Sequence, residues 1–447
     1  MPTQKKHIAI VGAGLVGTLA SIYLRQRGYV ISVFERRHDP RIHSLEDGRS
    51  INMALSNRGI KALEQVGLVE EIKRTAVPMH GRMIHDVQGK LSFQPYGKEG
   101  QFINSISRGG LTKTLIGKAS EIGVQFMFDH KISNVDLQQT TLTFSGQSSP
   151  KSFDMIIGAD GAYSAVRGAM QITERYNYSQ QHIEHGYKEL HIPAGPGNTF
   201  LLEKNALHIW PRESFMLIAL PNADATFTCT LFFPIEGKPS FENLKTEKEI
   251  ENFFKATFPD AVRLMPTLLN DFIKNPTSSL VTIQCYPWSI NKTLLLGDAA
   301  HGIVPFFGQG MNAGFEDCRI LNDLLDEHHD DWKKTVAVFQ QLRKPDTDAI
   351  AQLALDNFIE MRDLVADEEF LLRKKIEAKL HELYPEKWIP LYSMVTFYEN
   401  TRYSESLAIG KRQKKIMDEV MKTPGIKTEW KELDFRKIVN QLETATH

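Results

Sequence analysis

Three glycine-bearing segments hold the residues whose types and spacing could do chemistry. Gly12-Ala13-Gly14-Leu15-Val16-Gly17 follows the apolar run His7–Val11 and opens Leu15–Arg27, which reads as a helix. In that setting the first glycine permits a tight turn and the second lets backbone approach a pyrophosphate. The third allows close helix–strand packing, and the helix N-terminus offers its positive dipole end. Tyr29–Phe34 reads as the second strand of a βαβ unit and ends at Glu35 and Arg36. A carboxylate there suits the ribose hydroxyls of an adenosine. The pattern points to a dinucleotide and leaves NAD and FAD both open.

The second segment is the strand-like run ending in Asp160-Gly161, continuing to Ser164 and Arg167. The third is GDAAHGIVPFFGQGMN, Gly297 to Asn312, directly after Leu294–Leu296. Each puts an aspartate at the carboxyl end of a strand, where ligands of open α/β sheets collect. Either aspartate could instead cap a turn or helix. Asp298 and His301, three apart, could form an acid/base pair, although a loop histidine beside a ligand aspartate is more often structural. The third segment lacks the lysine and hydroxyl residue of a nucleotide-hydrolase loop.

The elements that must position these residues are α/β first and helical later. A helix near Leu111–Ile122 and strand-like VQFMFDH, TTLTFS and FDMIIG precede Asp160. From Gly186 to Phe233 the apolar residues alternate, as in an antiparallel sheet inserted into the α/β frame. After Gly310 the period is helical through about 382 and again near 404–422. The 447 residues carry 53 Lys plus Arg against 54 Asp plus Glu, so no global field favours nucleic acid or an acidic membrane. Three scattered cysteines argue against a disulfide framework, and no Cys/His spacing suggests metal. The N-terminal apolar run has a signal-peptide-like shape, but the Gly turn and second strand behind it assign it to the fold. No run of eighteen apolar residues predicts a membrane span.

With GxGxxG, DG and GD motifs in this order, the chain resembles the class A flavoprotein aromatic hydroxylases, the p-hydroxybenzoate hydroxylase-like monooxygenases. The resemblance covers nearly the whole chain. It implies a Rossmann-like FAD-binding domain in three parts (1–75, 106–180, 286–330), interleaved with a β-sheet substrate domain (76–105, 181–285). A C-terminal helical region (331–447) would cover the active site. It further implies bound FAD with NADPH as co-substrate. Asp298 would meet the ribityl–ribose side of FAD, Asp160 and Gly161 would lie near the pyrophosphate, and Arg108 would contact the flavin cofactor. Pro305, Gly308, Gly310, Met311 and Asn312 would lie against the isoalloxazine. The helix after Gly310 would direct its N-terminus at the flavin and stabilise its reduced, anionic form.

Longer strings (FERRHDPR, GRSINMALSNRG, HGRMIHD, QPYG, HGYKEL, NALHIWPR, VPFFGQGMNAGFED and YSMVTF) are similar to the branch of that family acting on L-kynurenine. That substrate needs a cation for its carboxylate, hydrogen-bonding groups around it, and an apolar slot for its ring. The resemblance assigns the first to Arg82, with Tyr96, Asn357 and Tyr392 beside it. The slot would come from Leu207, Ile209, Met216, Ile218, Leu220, Phe232 and Phe306. Without the resemblance, Arg82 reads equally as a surface residue or a partner of Asp86, and Leu207 to Phe232 as the core of a half-buried sheet. Oxygen would be activated as a flavin C4a-hydroperoxide attacking beside the amino-bearing ring carbon, with no obligatory base. The C-terminal helices would relay substrate binding to the flavin, so truncation near 380 would abolish hydroxylation and spare the flavin. A soluble cytoplasmic monomer or homodimer is expected, without nucleic acid or membrane insertion. The alternatives are a hydroxylase of another aromatic amine or phenol, and a non-catalytic flavin-fold protein.

Overall fold

The computed structural model describes residues 5–42, 52–361 and 367–444. Gly48–Ile51 of the string GRSINMALSNRG lie outside these, as do the extreme ends of the first and last predicted segments. β1 (His7–Val11), α1 (Leu15–Gln26) and β2 (Val30–Phe34) form the expected βαβ start. The central sheet runs Ser289–Ile290, Thr293–Leu295, Met155–Gly158, β1, β2, Gln125–Met127. Its first pairing is antiparallel and the others parallel. Ile8, Ala9 and Ile10 expose no surface, which explains a continuous apolar run in place of alternation. The loops that carry Gly12, Asp160 and Asp298 therefore emerge side by side from the carboxyl ends of three adjacent strands. The helix expected at Leu111–Ile122 starts earlier, at Arg108, because the Ser107 hydroxyl caps it by accepting from the Gly110 amide.

A second sheet of seven strands runs Ser278–Tyr286, Asn177–Ile192, Phe227–Pro234, Phe215–Pro221, Ala206–Arg212, Gly81–His85, Leu91–Pro95. It is antiparallel except where Ala206–Arg212 meets Gly81–His85 in parallel, with Leu207 opposite Arg82 and Ile209 opposite Ile84. One face presents Ile209, Met216 and Phe232 to the flavin-domain loop and the long helix Trp332–Ile359. The other packs Trp210, Leu217, Leu231 and Phe233 against helices Glu247–Thr257 and Leu268–Lys274. The expectation of a half-buried sheet is thus corrected, since helices cover its rear face too.

Beyond the flavin domain, Trp332–Ile359, Glu368–Leu383, Leu391–Phe397 and Tyr403–Val420 are helices, followed by Phe435–Thr444. The last buries Phe435, Ile438 and Val439 in a cluster with Ile376, Leu380, Trp388 and Met417. The apolar stripe of the tail is consumed by this core. Among the described residues no helix is long and apolar enough to cross a membrane. All three cysteines are free and buried.

Candidate active site

The three glycines of the first motif divide as their roles require. A Cβ at Gly12 would lie 2.5 Å from the Ala159 carbonyl oxygen, and one at Gly17 2.1 Å from that of Gly12. A Cβ at Gly14 would meet nothing within 4 Å, so this side of the turn is open to a pyrophosphate. The first turn of α1 has neither an acidic residue nor a side-chain cap, which leaves its amides for a ligand. Glu35 accepts from the Ala13 amide at 3.0 Å and from the backbone and side chain of Arg37, also at 3.0 Å. Burial opposes its charge, yet Arg37 outweighs burial and holds the carboxyl below its ordinary range. Arg36 and Arg37 are both exposed, and it is the Arg37 side chain that reaches Glu35.

Asp160 serves as a helix anchor. It accepts from the Ser164 hydroxyl at 2.5 Å and the Ala165 amide at 2.7 Å, fixing the start of Ala165–Gln171. Gly161 takes φ +84° and gives the turn its hand. Arg167 then donates to the carbonyls of Ala162 and Ala299, tying this turn to the third motif. Asp298 keeps accessible surface although protein surrounds it closely. That desolvation pushes its carboxyl up, while His301 and Arg108 pull against the rise. It accepts no hydrogen bond among the described residues, so its oxygens remain for a polyhydroxyl chain, with Arg108 at the nearby helix start. His301 turns away from it and contacts Asp317 at 2.5 Å, so the two do not form an acid/base pair.

Pro305–Phe307 form one 3-10 turn, closed by Gly308 at φ +67°, where an added Cβ would lie 3.1 Å from that of Ala54. Gly310 opens the helix Gly310–Glu327, which again has no acid or side-chain cap in its first turn. Met311 is buried, and the Asn312 side chain is occupied: it accepts from the Ser56 amide and donates to the carbonyls of Ala54 and Gly308. Any contact between Asn312 and the cofactor would use its backbone.

On the substrate side, Arg82, Tyr96 and Tyr392 come together. The Arg82 guanidinium carbon lies 5.0 Å from the Tyr392 ring centroid and 5.7 Å from that of Tyr96. The two rings stack at 5.2 Å. The Arg82 Nε, the Tyr96 hydroxyl and the Thr396 hydroxyl are all buried without a hydrogen-bond partner. Burial pushes the Tyr96 phenol well above its usual value, so it stays protonated as a donor. Burial also opposes the Arg82 charge, yet its surroundings, the Glu360 carboxylate among them, hold the guanidinium above its ordinary value. Adjacent is an apolar wall in which Phe306 stacks on Phe358 at 4.1 Å and meets Phe232 at 4.9 Å. Leu207, Ile218 and Tyr392 pack both against this wall and against the cluster holding Tyr96 and Leu220, so donors and wall are continuous. The Asn357 amide donates to the Phe306 carbonyl at 2.6 Å and positions that ring. An open groove of about 740 Å³ lies elsewhere, behind the substrate sheet between Glu247 and Lys274, and shares no residue with this site.

A family described as FAD binding domain matches residues 5–335. A kynurenine 3-monooxygenase of Flavobacterium johnsoniae is 51% identical over 435 residues, covering 96% of this chain and 97% of its own. The chain belongs to the kynurenine 3-monooxygenase family. The family's Christiangramia forsetii member is 49% identical, covering 98% of this chain and 99% of its own. Among solved structures, a 2-methyl-3-hydroxypyridine-5-carboxylic acid oxygenase superposes with a TM-score of 0.68 at 18% identity. It covers 81% of this chain and 94% of that one, a likeness of fold.

For a member of the kynurenine 3-monooxygenases, sequence reasoning missed a buried ionic network below the flavin wall. Asp317 accepts from His301, the Gly297 amide and Arg343, and Glu316 from Arg343 and Arg58. Arg58 also donates to the carbonyls of Val395, Tyr398 and Thr401, and Tyr403 donates to Gln309 at 2.8 Å. The C-terminal helices are therefore wired into the flavin domain. Removing them would leave buried Arg58 with Glu316 but without its three carbonyl acceptors, so truncation is expected to weaken flavin binding as well as hydroxylation. Arg58 and Glu316 lie in quoted strings, SNRG and GFED, but a polar residue in a family string does not announce burial.

Proposed function

We propose that this chain hydroxylates L-kynurenine to 3-hydroxy-L-kynurenine, consuming NADPH and O₂ with FAD as its cofactor. The observation that carries the substrate reading is the set of buried, unpartnered donors, Arg82 Nε and the Tyr96 hydroxyl, at the end of an apolar wall. Unpaired buried donors are costly, and a carboxylate would satisfy both. FAD, when bound, supplies the oxygen-transfer chemistry. Gly12, Gly14, Gly17, Glu35, Arg108 and Asp298 would hold it, with Pro305 to Gly310 against its ring system. The chain's own contribution is positional. Arg82, Tyr96 and Tyr392 hold the amino-acid end, while Leu207, Ile209, Met216, Phe232 and Phe306 orient the ring and exclude water. No protein base is required, because the ring amine already activates the neighbouring carbon.

The test is a purified, flavin-loaded protein assayed for kynurenine-stimulated NADPH oxidation, with 3-hydroxykynurenine identified as product. Equal turnover of simple phenols lacking an amino-acid tail would overturn the substrate assignment and favour a broader aromatic hydroxylase.

A further inference from the structure

His85 and His208 belong to two strings, HGRMIHD and NALHIWPR, that the flavin chemistry does not use. Ile84 and Ile209 face the site, so by strand alternation their neighbours His85 and His208 face the rear of the sheet. There the two rings meet, His85 Nε2 lying 2.9 Å from His208 Nδ1, with only 2% and 1% of the residues exposed. The chain of contacts continues at both ends. His85 Nδ1 is 2.6 Å from Asp260 Oδ2, which also accepts from Trp210 Nε1 at 2.8 Å. His208 Nε2 is 2.8 Å from the Glu203 carbonyl oxygen.

The protons on this chain can be counted. A backbone carbonyl only accepts, so His208 Nε2 carries hydrogen. A carboxylate only accepts, so His85 Nδ1 does too. The nitrogen–nitrogen contact between the rings requires one more. Three hydrogens on two rings are one more than two neutral imidazoles hold. We infer that His85 and His208 share one extra proton as a monocationic pair held against Asp260, and that this pair fixes the strand presenting Arg82 to the substrate carboxylate. Loss of the proton sets an acceptor against an acceptor, and a second proton sets N–H against N–H.

The neighbouring charges agree with this assignment. Burial brings His208 down to about 4, making it the neutral ring. Burial would raise Asp260, but the hydrogen bonds from His85 and Trp210 bring it down to about 2, making it the anion. Its other oxygen is buried without a partner. Among the described residues, the other charges that act on this group are Arg212, Asp86 and Glu203. Arg212 donates to the carbonyls of His85 and Asp86, so it meets backbone and not the rings. Because Leu207 pairs with Arg82 and His208 with Met83, the histidine contact clamps the same two strands that carry the carboxylate anchor and the ring wall.

The positioning half of this inference rests on Arg82 as the carboxylate site, and the protonation half does not. Flavin-loaded protein labelled with ¹⁵N-histidine would be examined by long-range ¹H–¹⁵N spectra at about pH 7.5, where an ordinary histidine is mostly neutral. Signals would be assigned with His85→Gln and His208→Asn. An imidazolium at His85 beside an Nε2–H ring at His208 is expected, and two neutral rings would overturn the inference. In the wild type, the kynurenine KM should rise through the pH range in which the spectra show the pair losing its proton. A KM flat across that titration overturns the positioning half. His208→Leu, which cannot accept from His85, should raise KM about tenfold with kcat and flavin content unchanged. His208→Asn, which can, should restore it, and equal KM values in the two variants also refute positioning. Wild-type protein that does not turn over kynurenine would sink the functional reading and positioning together, leaving the spectra to decide the proton count.

Discussion

Replacing Arg82 by methionine separates binding from folding, because the two effects have different sizes. Truncating one partner of a buried charged pair typically costs ~2–5 kcal/mol of affinity. Taking ~3 kcal/mol, kynurenine affinity should fall roughly a hundredfold. The free protein feels opposing terms. Arg82 Nε is buried without a partner, and relieving such a group returns ~1–3 kcal/mol. The residue keeps some solvent contact, so the lower end applies. Against that, the guanidinium loses its places beside the Tyr392 and Tyr96 rings, worth ~0.5–1 kcal/mol each. Methionine preserves most of the apolar stem, and the sum is within about 1 kcal/mol of zero. The assay pairs a kynurenine titration, read by perturbation of the flavin spectrum, with thermal melts in the absence of substrate. The reasoning fails if affinity stays within about threefold of wild type. It fails equally if the melting temperature falls in step with affinity, since Arg82 would then be scaffolding.

The glycine motif should split on substitution. Gly14→Ala should leave the melt of flavin-free protein unchanged while weakening flavin retention, whereas Gly17→Ala, with its Cβ 2.1 Å from the Gly12 carbonyl oxygen, should lose folded protein. Soluble yield and flavin absorbance distinguish the two. Asp317 should govern acid stability. Burial would raise its carboxyl, but His301 and Arg343 outweigh burial and hold it low. Its contribution is thus present above the unfolded value of about 4 and is lost as pH falls through the lower folded value. Asp317→Asn should cost ~3–5 kcal/mol at neutral pH and flatten the acid limb of melting temperature against pH. A chain ending before Leu391 should fail to retain flavin, and a stable yellow product would refute the wiring through Arg58.

Much of the fold was legible because its signals are local. β1, the Gly12 turn and the helix start at Gly310 follow from apolar runs punctuated by glycine, and each lies where the spacing put it. The helix at Arg108 began early because one serine hydroxyl caps it, a contact that periodicity does not encode. The substrate sheet was legible as strands but not as two-sided, since Trp210 and Leu217 need helices from residues 247–274 to cover them. Arg82 is informative only in space: its meaning comes from the Tyr96 and Tyr392 rings, which arrive from two other elements. Asp317 and Arg58 were invisible as a unit because their charges look like ordinary surface residues until the fold buries them together. Asp160 shows the reverse case, a motif residue whose visible bonds are those of a helix cap.

The acceptors of Arg58 also set an order in time. Arg58 is made early in synthesis, yet three of its carbonyl partners, on Val395, Tyr398 and Thr401, follow it by 337 to 343 residues. Asp346 likewise waits for Arg402 and Ser404. Until those residues leave the ribosome, the flavin domain carries an incompletely paired cation in its interior, however complete its sheet. Closing the interior around Arg58 therefore depends on residues made long after the βαβ start. A chain interrupted before Val395 would carry its cofactor motifs with Arg58 left to Glu316 alone.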